Sequence, residues 1–187
     1  TIAIMAISAI VSWTTALYVT SNQGFQVIRH DANSKKVQMP DESFGNDSRL
    51  LLLNPLRVLI ITRGLHFYVY DARNGKLEKI PVSGSTEGGG MPMAIVKTGK
   101  KVWIGTNGDG LFSLDLSTRQ LRPYPSTAGL HVMSMAAYGQ HLLISTRLGM
   151  GIVNTSSGET QLYDITLSKG KPYELYSANS IALVGDD

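Results

Sequence analysis

The segment Val102-Trp-Ile-Gly-Thr-Asn-Gly-Asp-Gly-Leu-Phe-Ser-Leu-Asp115 decides the fold predicted for this chain. It holds a short apolar run that ends at Thr106, a loop rich in glycine, and a second apolar run. Two apolar runs joined by a short loop with glycine are typical of two antiparallel strands. Similar segments occur before and after it, so the segment predicts one part of a repeated β-structure.

A threonine at the end of a short apolar run marks each copy of the repeat. Successive threonines are 42, 44 and 40 residues apart, at Thr20, Thr62, Thr106 and Thr146. In three copies another apolar run begins thirteen residues before the threonine, at Ile7, Met93 and Met133. Each threonine is followed by a loop, a third apolar run, a polar turn and a fourth run. Four short strands in about 40–45 residues predict the blade of a β-propeller.

The composition of the strands agrees with this interpretation. Inner strands of a blade are covered on both faces and read as continuous apolar runs, whereas the outermost strand is a solvated edge. The run Lys76-Leu-Glu-Lys-Ile80 alternates in the manner of such an edge strand. A β-sandwich also has short strands and frequent turns, but it does not require a fixed period of this length. The register further predicts that Trp103 is buried between blades and that Trp13 is more exposed.

The whole chain, residues 1–187, is therefore interpreted as an all-β partial propeller. It contains four four-stranded antiparallel units, at about 7–40, 49–81, 93–125 and 133–165, and the start of a fifth at about 180. Propellers typically have about 4–8 blades, and an open array leaves exposed strand edges. We therefore expect the chain to be part of a larger propeller, completed by further blades or by a partner chain.

The segment around Thr106 resembles the two-component regulator propeller repeat, whose pattern is roughly W-I-G-T-x-x-G-G-L-x-x-L-D. The match is recognisable again at Leu17–Phe25 and is degenerate in the second and fourth units. In the second unit, Ile61 replaces the glycine before the threonine and His66 falls where the second glycine would be. The resemblance covers about residues 7–165. It implies the extracytoplasmic sensor region of a bacterial hybrid histidine kinase or of a related surface protein.

Composition and charge exclude several classes of protein. The net charge is +3 with 17% charged residues, and no basic run is present, which argues against a nucleic-acid partner. The absence of cysteine excludes disulfides, cysteine-ligated metals and thiol nucleophiles. The uncharged stretch Thr1–Val19 could suggest a membrane helix, but the repeat favours a strand, a turn and a strand over residues 7–20. We expect membrane contact only through a region outside this chain.

A binding site is predicted at one end of the strands, which we call the loop face. The loop face carries the loop after the second strand and the linker to the next blade, because both leave an antiparallel blade at the same end. The candidate ligand-binding residues on it are Asn22, Arg63, Asn107, Asp109, His131 and Arg147. Arginines with asparagine and aspartate suit a polar or anionic ligand, although asparagine and aspartate are also good turn formers. The expected ligand is a small molecule, a glycan or a protein.

Motifs for catalysis and metal binding are scarce. Asn107-Gly-Asp-Gly110 faintly resembles a calcium loop without the downstream glutamate, and the four histidines show no metal spacing. The sequence therefore predicts no catalytic residue, no metal and no cofactor, and leans against an enzyme.

Three functions remain open on the sequence. The first is a non-enzymatic sensor that binds a ligand or a protein, and the second is a structural interaction platform within a multi-protein assembly. The third, a propeller lyase or hydrolase, would require carboxylate, histidine or tyrosine side chains that converge and have shifted pKa values.

Overall fold

The structure of the chain is a computed structural model that describes residues 7–13, 16–21, 24–29, 34–37, 47–84, 90–163 and 181. The chain divides into two compact units, Thr1–Val82 and Ser83–Asp187. The described residues form four four-stranded sheets, two in each unit, and every sheet joins four consecutive antiparallel strands. This is the blade topology predicted from the repeat.

The first unit contains eight strands in two sheets. The first sheet is formed by β1 (Ile7–Trp13), β2 (Ala16–Ser21), β3 (Gly24–Arg29) and β4 (Ser34–Val37). The second sheet is formed by β5 (Arg49–Asn54), β6 (Arg57–Thr62), β7 (His66–Asp71) and β8 (Lys76–Ile80). The uncharged N-terminal stretch thus contains the predicted pair of strands. No helix among the described residues is long and apolar enough to cross a membrane.

The second unit also contains eight strands in two sheets. Its first sheet is formed by β9 (Pro92–Thr98), β10 (Lys101–Thr106), β11 (Leu111–Asp115) and β12 (Leu121–Tyr124). A 3-10 turn at Pro125–Thr127 leads to β13 (Val132–Tyr138), β14 (His141–Thr146), β15 (Gly149–Asn154) and β16 (Thr160–Tyr163). Of the predicted fifth unit, only Ile181 is described. Its backbone N–H donates a hydrogen bond to Ser134 Oγ on β13 at 3.0 Å.

Burial follows the expected difference between inner and outer strands. The second strands β6 and β10 are buried at five of six positions, so both faces of each strand are covered. The fourth strands β8 and β16 have no fully buried position. The continuous apolar runs are therefore inner strands, and the charged alternating runs are solvated edges.

Each unit has an apolar core between its two sheets. In the first unit, the rings of Tyr18 and Phe25 stack at 6.4 Å, and Tyr70 meets Phe25 edge to face at 5.3 Å. In the second unit, Trp103 is 1% exposed and packs in one cluster with Leu142 and Ile144 of the next sheet. The predicted burial of Trp103 between blades is therefore confirmed. The side chain of Trp13 lies outside the described residues.

Candidate functional site

The loop face of the second unit is built from one loop and two linkers. The loop after β10, residues 107–110, and the linker after β12, residues 125–131, leave the sheet at the same edge. The end of the preceding linker also reaches this loop, because the backbone N–H of Asn107 donates to the Met91 carbonyl at 2.9 Å. Three segments that are distant in sequence therefore meet at one edge.

The threonines of the repeat fix the conformation of the loops that follow them. Thr106 Oγ1 donates to the Gly110 carbonyl at 2.8 Å and accepts the N–H of Asp109 at 3.2 Å. Thr146 likewise donates through Oγ1 to the Gly149 carbonyl at 3.0 Å. Because one hydroxyl both donates and accepts, a single side chain closes the loop. This explains why threonine marks the repeat in this unit.

Gly110 ties the loop to the linker after β12. Its φ of +75° lies in the left-handed region, and a Cβ at this position would lie 2.2 Å from the Thr127 carbonyl oxygen. The N–H of Gly110 donates to the Leu130 carbonyl at 3.0 Å. The next residue, Leu111, donates its N–H to Thr127 Oγ1 at 2.9 Å. Only glycine permits this close approach of the two backbones.

Asn107 and His131 form a direct contact across the loop face. Their backbones make an isolated antiparallel bridge, and His131 Nδ1 lies 2.6 Å from Asn107 Oδ1. Since an amide oxygen only accepts, the imidazole Nδ1–H is the donor. Within the described part of the chain, neither Nε2 nor the Asn107 amide nitrogen has a hydrogen-bond partner. The pair therefore presents the amide nitrogen of Asn107 and the ring nitrogen Nε2 of His131.

Asp109 joins the same cluster through the preceding linker. Its carboxylate oxygen Oδ2 accepts the N–H of Gly90 at 2.9 Å, and a Cβ on Gly90 would lie 2.4 Å from that oxygen. Asp109 thus positions the linker as well as facing the loop surface. The structure brings together Asn107, Asp109 and His131, three of the predicted site residues. No sequence pattern marks Gly90 or Thr127, because both act through contacts with residues far away in the chain.

Of the other three predicted site residues, the structure describes Arg63 and Arg147. Arg63 is exposed in the first unit, with its guanidinium 3.7 Å from the Asp47 carboxylate. Arg147 is exposed in the second unit, in the loop after β14 beside Leu148, which is 68% exposed. Asn22 lies outside the described residues. The binding roles of all six residues stay predictions.

A concave surface lies on the last sheet of the second unit. It is an open groove of about 620 Å³ lined by Ser126, His141, Ile152, Asn154, Glu159, Thr160 and Gln161. Ser126 bridges the linker to this sheet, with its Oγ 2.6 Å from the Gly158 carbonyl oxygen. No sequence motif marks this groove, because its residues come from a linker, a turn and three strands.

Two carboxyl groups with a lowered pKa lie at the end of the strands opposite to the loop face. Side-chain hydrogen bonds from Arg73, followed by its backbone N–H, lower the pKa of Asp71 to about 2. Backbone N–H groups of Thr118 and Ser117 lower the pKa of Asp115. Both carboxylates therefore stabilise turns after the third strand. Among the described residues, no cluster of three histidine or acidic side chains that could hold a metal is found.

Among the solved structures with the same blade fold are extracellular domains of bacterial proteins. The extracellular domain of BT4673 from B. thetaiotaomicron, a candidate one-component system, matches with a TM-score of 0.64 and 20% identity over 83% of this chain and 22% of that chain. The extracellular domain of BT3049 from the same organism, a candidate hybrid two-component system, matches with a TM-score of 0.65 and 15% identity over 84% of this chain and 24% of that chain.

A third similar structure is PorZ, a surface component of the type-IX secretion system of Porphyromonas gingivalis. It matches with a TM-score of 0.62 and 14% identity over 91% of this chain and 23% of that chain. This chain thus spans less than a quarter of the length of each of the three structures. No protein-family model matches the sequence, and no curated protein matches it. At these identities the likeness shows the fold.

Proposed function

We propose that this chain is a non-enzymatic, ligand- or protein-binding part of a propeller, and that it belongs to the extracytoplasmic sensor region of a bacterial signalling or surface protein. The observation that carries the proposal is the cluster of Asn107, Asp109 and His131 on the second-unit loop face. The extracellular domains with the same fold support the location and the sensing role.

The chemistry of the cluster suits a neutral polar ligand. The Asn107 amide nitrogen offers a hydrogen-bond donor, and the ring nitrogen Nε2 of His131 offers a second hydrogen-bonding group. Backbone hydrogen bonds hold the loop on both sides, through Met91 and Leu130. Because the polar groups are ordered before binding, a ligand would lose little affinity to the ordering of the loop.

A binding screen with matched variants tests this proposal. Purified protein is exposed by surface plasmon resonance to a panel of neutral oligosaccharides, sulfated oligosaccharides and short peptides. A ligand that binds at the loop face should lose about tenfold in affinity with Asn107→Ala or His131→Ala, which corresponds to the loss of about 1.4 kcal/mol. The control variants Lys100→Ala and Ser117→Ala alter exposed residues in turns at the opposite edge of the sheet and should bind normally.

A structural platform within an assembly is the second candidate. The likeness to PorZ favours it, since that protein is a component of a secretion system. Chemical cross-linking in the native cells, followed by mass spectrometry of peptides from this chain, separates the two functions. A stoichiometric protein partner bound in the absence of any small ligand would favour the platform.

A further inference from the structure

In the second unit, the sheet β13–β16 covers one face of the sheet β9–β12. On the sheet β9–β12, this face carries Trp103, Leu111 and Tyr124, which pack in the core with the sheet β13–β16. Trp103 is 1% exposed and Leu111 is 0% exposed. Trp103 and Tyr124 meet edge to face, with ring centroids 5.0 Å apart.

The last sheet presents an equivalent face on its other side. Pairing of Ser145 with Met150, and of Met150 with Tyr163, repeats the pairing of Gly105 with Leu111 and of Leu111 with Tyr124. Period-two alternation places on this side the apolar Ala136, Leu143, Met150 and Ile152, with Tyr163, together with the polar Ser134, Ser145 and Gln161; we call this side the distal face. The neighbours Met135, Leu142 and Ile144 point the other way, into the core between the two sheets.

The apolar residues of the distal face are only partly buried. Leu143, Met150 and Ile152 are half-buried, and Tyr163 is 44% exposed. The corresponding positions on the sheet β9–β12 include Trp103 at 1% and Leu111 at 0% exposure. One contact identifies what approaches this side: the Ile181 N–H donates to Ser134 Oγ at 3.0 Å. Ser134 belongs to the distal face, and it lies 47 residues before Ile181.

We propose that the distal face is a docking surface for the segment Ser180–Val184, which packs on it as the first strand of a further blade. Apart from Ser180, the segment is apolar, with the sequence Ser-Ile-Ala-Leu-Val, as expected for an inner strand. The segment would cover the distal face as the sheet β13–β16 covers the face of the sheet β9–β12 that carries Trp103. The proposal is independent of any ligand at the loop face.

Disulfide trapping tests the contact, because the chain has no cysteine of its own. Ser134→Cys is combined in turn with Ser180→Cys, Ile181→Cys and Ala182→Cys, since a hydrogen bond between backbone and side chain places the backbones roughly within the 4.4–6.8 Å Cα separation of disulfides. At least one pair should form an intrachain disulfide in the folded protein under mild oxidation. The control Met135→Cys, with the same three partners, points to the opposite face and should form none.

Three outcomes would overturn the proposal. These are no cross-link with Ser134→Cys, equal cross-linking with Met135→Cys, or a cross-link that joins two molecules on a non-reducing gel.

A second measurement does not depend on cysteine geometry. Leu143→Asp should lower the melting temperature by several degrees or more, while Leu148→Asp, at a 68% exposed loop position, should leave it nearly unchanged. Equal effects of the two variants would also contradict coverage of the distal face.

Discussion

His131 donates its Nδ1–H to Asn107 Oδ1 at 2.6 Å, and this contact joins the loop after β10 to the residue that precedes β13. The contact connects two successive sheets of the second unit at their loop face. We predict that it stabilises the unit by about 0.5–1.5 kcal/mol, as is usual for one intramolecular hydrogen bond. A double-mutant cycle with Asn107→Ala and His131→Ala in urea unfolding measures this coupling. Strict additivity of the two variants would show that the contact does not persist in solution.

Trp103 anchors the core between the two sheets of the second unit. Its indole N–H donates to Thr98 Oγ1 at 2.7 Å, and its ring is buried. Trp103→Ala should destabilise the protein by about 3–5 kcal/mol, measured by chemical denaturation, because it leaves a cavity and loses an aromatic contact. Trp103→Phe should cost clearly less, since it keeps most of the apolar contact.

Fluorescence quenching by iodide checks the same register. With Trp13→Phe, the remaining Trp103 should be strongly protected from iodide. The more accessible tryptophan should be Trp13, observed alone in Trp103→Phe. Equal quenching of the two variants would count against the register.

Arg119 has a left-handed backbone at a turn position where two other blades have glycine. It has a φ of +59°, and its N–H donates to the Asp115 carbonyl at 2.8 Å. Gly75 and Gly158 take the same place in the equivalent turns, with φ of +68° and +78°. Arg119→Gly should therefore raise stability by about 0.5–1 kcal/mol, read as a higher melting temperature, because left-handed backbone disfavours a Cβ. Gly158→Arg should have the opposite sign, and a destabilising Arg119→Gly would refute the argument.

The Asp71–Arg73 pair predicts a dependence of stability on acid. The folded-state pKa of Asp71 is lowered to about 2 by Arg73, below the value of about 3.9 expected in the unfolded chain. The contribution of this carboxylate is therefore fully present above about pH 4 and is lost as the pH falls toward 2. Urea unfolding at several pH values should show a smaller acid-induced loss in Asp71→Asn than in the parent. Glu78→Gln, on the exposed edge strand β8, is the control and should behave like the parent.

Much of the fold is predictable from local sequence, because each blade repeats the same local choices. The apolar run before Thr106, the Thr106 hydroxyl that closes the loop and the left-handed backbone of Gly110 all belong to one hairpin. The second blade shows where such inference ends. The sequence places His66 at the repeat's second glycine, yet the left-handed residues of this loop are Gly64 and Leu65, with φ of +75° and +52°. The degenerate loop thus shifts the left-handed position by one residue.

The candidate site was predictable in part. Asn107, Asp109 and His131 stand in loops that the repeat places at one edge, so their proximity follows from the blade topology. The bond from the Gly90 N–H to Asp109 joins residues 19 positions apart, through a linker with no pattern of its own. The groove beside Ser126 likewise depends on contacts between two blades. Periodicity gives the order of the strands, but packing between blades decides which side chains meet.

The binding screen with loop-face and opposite-edge variants tests the central claim most directly. We predict a ligand whose affinity falls about tenfold in Asn107→Ala and His131→Ala and is unchanged in Lys100→Ala and Ser117→Ala. The melting temperatures of the loop-face variants should stay close enough to the parent for all to be folded at the assay temperature. Equal binding by all four variants, or no ligand across the panel, would contradict a recognition site at the loop face.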